Sequence, residues 1–210
     1  MSSPEFDLNC TLCPRLAGFL TEVKTSYPDY HARPVAPFGD DNARLLIVGL
    51  APGMHGANAT GRPFTGDYAG ILLYETLYES GFSSAAESVS ATDGLQLKNC
   101  RITNAVKCLP PQNKPIGAEI NTCNQFLKTE LEALADDSVI IALGSIAHNS
   151  VIKALGLKQK DFKFGHLHEH VLPRATLLDS YHCSRYNTQT KRLTSEMFKK
   201  VFVRARQLIG

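Results

Sequence analysis

Apolar positions along the chain follow two periods. A continuous apolar run occurs at Leu45-Leu46-Ile47-Val48-Gly49-Leu50, and similar short stretches recur at Arg101 to Val106, at Val139 to Leu143 and at Thr176 to Leu178, each bounded by turn-forming or polar residues. Runs of this length without polar alternation predict strands buried on both faces. Between them the spacing becomes helical, as at Ile120, Cys123, Leu127, Leu131 and Leu134, which lie along one stripe of a helix. Another helix is expected from Asp67 to Glu79. Strands alternating with helices specify an α/β fold, a parallel sheet covered on both sides.

In such sheets ligands gather where the loops leave the carboxyl ends of the strands. That rule selects the loops after Leu50, after Ala105 and after Leu178, which hold nearly all the chemically suggestive residues. No internal repeat stands out. The Ser/Ala-rich stretch Ser83 to Thr92 reads as a surface connection without chemistry.

Length then bounds the picture: 210 residues suit one domain, 1–210, with a core of its own. Lys+Arg 22 against Asp+Glu 20 leave a net charge of +2, which neither demands nor excludes a nucleic-acid partner. Basic residues gather at Lys191, Arg192, Lys199, Lys200, Arg204 and Arg206, and the ordinary reading of that group is a solvated helix face. The start, Met-Ser-Ser-Pro-Glu-Phe-Asp, lacks the charged and apolar segments of a secretory leader, so a soluble, cytoplasmic protein is expected. In that compartment six cysteines argue for metal ligation or core use rather than disulfides.

Cys10 and Cys13 form a C-x-x-C pair before Pro14, and Cys108 and Cys123 lie far downstream. Four thiolates from these positions suit a zinc ion or an iron–sulfur cluster alike, and the spacing does not choose between them. Either would cross-link the N-terminal segment to the middle of the chain. Cys100, at the start of a strand, reads as an ordinary buried residue, whereas Cys183 adjoins a candidate site residue.

The loop from Gly49 to Gly70 reads GLAPGMHGANATGRPFTGDYAG. Its glycines allow close approach to a phosphate, sugar or flat base, but the spacing fits neither a Walker A loop nor a dinucleotide fingerprint. Asp67 ends it as a natural helix cap. The segment Arg101 to Pro115, RITNAVKCLPPQNKP, places Asn104 near the end of a buried strand, where an amide presents both a donor and an acceptor. Ser180 to Thr194, SYHCSRYNTQTKRLT, supplies His182 as a donor to a developing anion and Ser184, Arg185 and Asn187 as phosphate contacts. His166, His168 and His170 alternate along a possible strand; a structural or solvent-facing role is the ordinary reading, with zinc the alternative.

These segments together resemble the uracil-DNA glycosylase superfamily, specifically family 5, the iron–sulfur branch called type b. The match rests on GLAPG with HGAN and TGRPFTGD, on NAVKCLPPQNKP with Cys123, and on SYHCSRYNT with RLT. The resemblance implies a three-layer α/β/α fold with a central four-stranded parallel sheet and a structural [4Fe–4S] cluster on Cys10, Cys13, Cys108 and Cys123. It implies a monomeric repair enzyme that removes uracil, and other deaminated bases such as hypoxanthine and xanthine, from DNA. Its base pocket would comprise Gly49, Ala51, Phe64 stacked on the extruded base, and Asn104 reading the base edge. His182 would hydrogen-bond the base carbonyl that gains charge, and Asp67 would stabilise the sugar cation or orient water. Ser184, Arg185, Tyr186 and Asn187 would contact DNA, with Tyr186 or Arg185 filling the gap left by the flipped base.

Two departures stand out: Cys183 where many relatives have proline, and Ala59 where arginine is frequent. They bear on loop rigidity and on phosphate contact. Two other classes compete with the enzyme. A non-catalytic damage-binding module would bind DNA in a salt-dependent way without base release, and an iron–sulfur redox protein would need a partner for which the sequence carries no cofactor fingerprint.

Overall fold

A computed structural model of the chain describes residues 6–210. The first five positions of the start discussed above lie outside the described residues. The strands are β1 (Phe38–Gly39), β2 (Leu45–Gly49), β3 (Cys100–Asn104), β4 (Ser138–Leu143), β5 (Glu169–Val171) and β6 (Ala175–Ser180). The helices are α1 (Pro14–Ser26), α2 (Ala57–Thr60), α3 (Tyr68–Glu79), α4 (Gly117–Glu132), α5 (Ser145–Ala154), α6 (Arg185–Gln189) and α7 (Ser195–Ile209).

They form one sheet in the order β1-β3-β2-β4-β6-β5. The four central strands are parallel, as expected, but the sheet has six strands rather than four. Antiparallel β1 and β5 add one strand at each edge. Both are only two or three residues long and part-exposed, so neither leaves an apolar run. Short, half-exposed strands also blunt the sheet edge against further pairing.

Side chains of the central strands alternate between two cores. Leu45 and Ile47 of β2 join Leu73 and Leu77 of α3 and Phe198 and Phe202 of α7 on one face. Leu46 and Val48 join Leu127 and Leu131 of α4 and Val151 of α5 on the other. All four β2 side chains are fully buried, each contributing roughly 1.5–3 kcal/mol of transfer free energy. This is why β2 is uniformly apolar rather than alternating. Cys100 is buried in the first of these cores.

A third core lies off the sheet, where Leu16, Leu20 and Val23 of α1 pack on Val106, Leu109 and Phe126. Half of the basic C-terminal group is paired with carboxylates at the surface. Lys199 meets Glu79, Lys200 meets Glu196 and Arg204 meets Glu169, as a solvated helix face should. No helix among the described residues is long and apolar enough to cross a membrane.

Candidate active site

A cleft of about 740 Å³ opens at the carboxyl ends of the central strands. Three separate segments reach it: the loop after β2, the end of β3 and the loop after β6. It brings together Ala51, Phe64, Asp67, Asn104, His182, Ser184 and Arg185. Gly49 lies against the Phe64 ring and the Asn104 amide, in register with Asn104 on the neighbouring strand. A side chain on Gly49 would stand 2.7 Å from two ring carbons of Phe64 and would also strike the Asn104 amide oxygen, so the position favours glycine.

Among the described residues two polar atoms here are buried without a protein partner, Oδ1 of Asn104 and Nδ1 of His182. Such groups are costly unless something supplies the missing bond. The His182 ring lies 6.0 Å from that of Phe64, with 28° between the planes, so both present broad faces. Burial pushes the His182 pKa down to about 4, which keeps the imidazole neutral at physiological pH with one N–H to donate.

Asp67 is both cap and cleft residue. Its Oδ1 accepts from the Gly70 N–H at 3.0 Å and so caps α3, as the sequence implied. Its Oδ2 faces the Gly53 and Gly56 backbone, and a side chain on Gly56 would lie 2.7 Å from the Asp67 Cβ. Burial raises the carboxyl pKa, opposed by the N–H groups of Gly70 and Ala69.

The third segment is braced without proline. Cys183 is fully buried in the α3/α7 core, and burial, reinforced by the nearby Asp67 charge, pushes its thiol pKa up. Ser184 caps α6 by accepting from the Asn187 N–H, while the Asn187 side chain donates to the His182 carbonyl at 2.8 Å. That amide therefore braces the His182 loop. Arg185 sits with its guanidinium carbon 5.8 Å from the Tyr68 ring centre. Tyr186 does not line the cleft; it projects from α6 and is 70% exposed.

Sequence reasoning passed over His55, which lines the cleft and whose Nδ1 lies 2.8 Å from the Tyr30 hydroxyl. Its place in the HGAN stretch of a glycine-rich loop was the available signal. Ala59 lies within α2, where its carbonyl accepts from the His31 N–H at 2.9 Å.

Away from the cleft, Cys10, Cys13, Cys108 and Cys123 line a single small cavity walled by Phe6, Leu16, Val106 and Phe126. Cys13 occupies the N-cap position of α1, with Pro14 as the first helical residue, so the positive end of that helix faces the thiols. The Lys107 N–H donates to the Cys123 sulfur at 3.3 Å. Burial raises the thiol pKa of Cys108 to about 12 and of Cys123 to about 11. Such thiols ionise only against a strong local positive charge. Four thiols on one apolar cavity are a donor set that would suit a metal ion or an inorganic cluster alike.

Among the described residues the one group with three metal-type ligand atoms within 4.8 Å is His148, His170 and Asp179. Its atoms are already hydrogen-bonded. Asp179 Oδ1 lies 2.7 Å from His148 Nδ1, and its Oδ2 lies 3.1 Å from His170 Nε2. His148 Nε2 faces the Phe162 carbonyl at 2.9 Å. A carbonyl only accepts, so Nε2 is placed to donate, and the carboxylate and carbonyl facing the two nitrogens outweigh burial and raise the His148 pKa above its ordinary 6.5. His168 bonds the Lys163 carbonyl, and His166 Nδ1 accepts the Tyr181 N–H.

An aromatic ring, a buried amide, an imidazole of lowered pKa and a carboxylate thus converge in one cleft. Residues 36–206 match the model of the uracil DNA glycosylase superfamily. The chain is 46% identical over 207 residues to a type-5 uracil-DNA glycosylase of Thermus thermophilus, covering 96% of this chain and 94% of the relative. It is 43% identical over 202 residues to a type-5 uracil-DNA glycosylase of Pyrobaculum aerophilum, covering 94% and 88% respectively. A type-4 uracil-DNA glycosylase of Archaeoglobus fulgidus is 32% identical over 152 residues, 72% of this chain and 62% of that one. The chain belongs to the uracil DNA glycosylase superfamily, in its type-5 branch.

Proposed function

We propose that the protein excises uracil, and related deaminated bases such as hypoxanthine and xanthine, from DNA, leaving an abasic site. The observation that carries this reading is the convergence of Asp67, Asn104 and His182 around the Phe64 ring in one cleft, with two buried polar atoms awaiting partners. A base inside a duplex cannot reach such a pocket, so the nucleotide flips out, and stacking on Phe64 offsets part of the unstacking cost. The Asn104 amide reads the base edge with one donor and one acceptor.

As the N-glycosidic bond breaks, its electron pair moves onto the base and positive charge develops on the sugar. The neutral His182 N–H donates to the base carbonyl that gains charge, and the Asp67 carboxylate stabilises the sugar cation or orients water. Water then adds to the sugar carbon and loses a proton, completing hydrolysis without a protein nucleophile. Ser184 and Arg185 at the cleft wall contact DNA phosphates, and exposed Tyr186 fills the gap in the duplex. The protein acts as a monomer.

Cys10, Cys13, Cys108 and Cys123 hold a structural [4Fe–4S] cluster, which fits their shared apolar cavity and the Lys107 N–H donated to sulfur. When bound, it ties the N-terminal segment to the chain's middle and supplies no step of the reaction. Incubation with a uracil-containing duplex followed by alkali should give strand breaks at the lesion. Asp67→Ala and His182→Ala should each slow this by about 10²-fold or more while the protein stays folded. Absence of release of any deaminated base by the purified holoprotein would refute the enzyme reading.

A further inference from the structure

Phe64, the residue given the stacking role, has φ of +54°. For a bulky side chain this left-handed conformation costs about 1–3 kcal/mol and persists only where the surroundings enforce it. The enforcement comes from both flanks. Arg62 is 5% exposed; its Nη1 donates to Asp93 Oδ1 at 2.6 Å and to Ser88 Oγ at 3.0 Å, and its Nη2 to the Ala91 carbonyl at 2.8 Å. Its guanidinium carbon lies 4.3 Å from the Phe38 ring centre. Thr65, fully buried, places its hydroxyl 2.8 Å from the same Ser88 Oγ. Between them, the Pro63 carbonyl accepts from the Tyr74 hydroxyl at 2.9 Å.

Asp93 is the hub of the opposing loop. Its Oδ1 also accepts from the Leu95 N–H at 2.9 Å, and its Oδ2 from the Val89 and Ser90 N–H groups at 2.9 and 3.2 Å. The loop is closed at its base by the Ser83–Leu97 bridge. The stretch Ser83 to Thr92, expected to carry no chemistry, is thus fastened to the residues on either side of Phe64. Arg62, Ser88 and Asp93 do not line the cleft, so any effect on catalysis passes through the segment they hold.

We propose that Arg62, Ser88 and Asp93 form a clamp that positions Phe64, holding its ring in the attitude that receives the flipped base. The proposal rests on the stacking role of Phe64. Removing one partner of a buried ion pair leaves the other desolvated and unpaired, so the loop and the Arg62–Thr65 segment should loosen together. DNA contacts at Ser184 and Arg185 lie on another loop and stay intact.

The test is a double-variant cycle on the holoenzyme, read by single-turnover excision from a uracil duplex. Asp93→Asn should slow excision on the order of 10-fold with unchanged affinity for undamaged duplex. In a Phe64→Ala background, the same change should cost less than about 2-fold, because the ring it positions is gone. Ser88→Ala, a milder break that removes the shared hydroxyl, should show the same pattern at smaller size and carries the test if Asp93→Asn does not fold. Full-rate excision by the clamp variants, or equal slowing in both backgrounds, would overturn the clamp. Full-rate excision by Phe64→Ala alone would instead remove the stacking role and the clamp's function with it. Slowing by Phe64→Ala together with full-rate clamp variants would leave the stacking role standing and sink only the clamp.

Discussion

Gly49→Ala tests the pocket at its least forgiving point. The glycine ends β2, which is paired with β3 on one side and β4 on the other, so the backbone there has little freedom to retreat. Its φ is not positive, and alanine meets no conformational barrier. The obstacle is space. The new methyl would stand 2.7 Å from Cε2 and Cζ of Phe64 and closer still to Asn104 Oδ1, while comfortable carbon–carbon contact begins at about 3.5 Å. The ring must yield by roughly 0.8 Å and the amide must turn away from the base edge. Overpacking of this kind costs about 1–3 kcal/mol of stability, a fall in Tm of roughly 2–4 °C per kcal/mol for a chain this size. A displacement near 1 Å in the groups that orient substrate costs about 10²-fold in rate. Rapid-quench single-turnover excision, with circular dichroism to confirm folding, should show chemistry slowed on that order and affinity for undamaged duplex unchanged. A folded Gly49→Ala protein that excises uracil at the wild-type rate would mean that the base does not bind against Phe64 and Asn104.

Further expectations follow from the same geometry. Asparagine caps helices as well as aspartate, whereas alanine loses about 1 kcal/mol. Asp67→Asn and Asp67→Ala should therefore differ in melting temperature yet be similarly slow. Because burial raises the Asp67 carboxyl above its ordinary value of 3.8, the rate of the chemical step should fall with an acid limb centred above that value. His182, neutral above about 4, adds no limb at higher pH. For His148, burial opposes the charge, but Asp179 and the Phe162 carbonyl outweigh it and raise the pKa above 6.5. Its contribution to stability is full below that unfolded value and is lost as pH rises through the folded one. Melting curves from about pH 6 to 9 should show Asp179→Asn most destabilised relative to wild type at the acid end; a constant difference would show that the pair is not charged. Protein purified without oxygen should absorb broadly in the visible, and Cys10→Ser should bleach it and expose α1 to protease.

The central strands were legible because a strand covered on both faces has no choice but a continuous apolar run, as Leu45 to Val48 show. β1 and β5 were not, since an edge of two or three half-exposed residues leaves no periodicity. Asp67, Asn104 and His182 could be gathered in advance because parallel topology sends their loops to one sheet end. The clamp could not. An Arg62–Asp93 pair separated by 31 positions has no local signature, and a positive φ at a phenylalanine is imposed by tertiary contacts against its own preference. For the same reason nothing local showed that Asn187, expected as a DNA contact, also donates one amide N–H to the His182 carbonyl.

The single carboxylate of Asp67 starts a helix with one oxygen and lies against the Gly53 and Gly56 backbone of the cleft wall with the other. In the proposed mechanism folding and catalysis are thereby joined at one side chain, yet they depend on different properties of it. The helix needs only an acceptor, and the reaction needs a charge. A lesion that exchanges one for the other, as amidation to asparagine does, would pass cellular surveillance that recognises unfolded chains. Such a protein would accumulate fully folded with its excision slowed, if the charge has the role proposed for it.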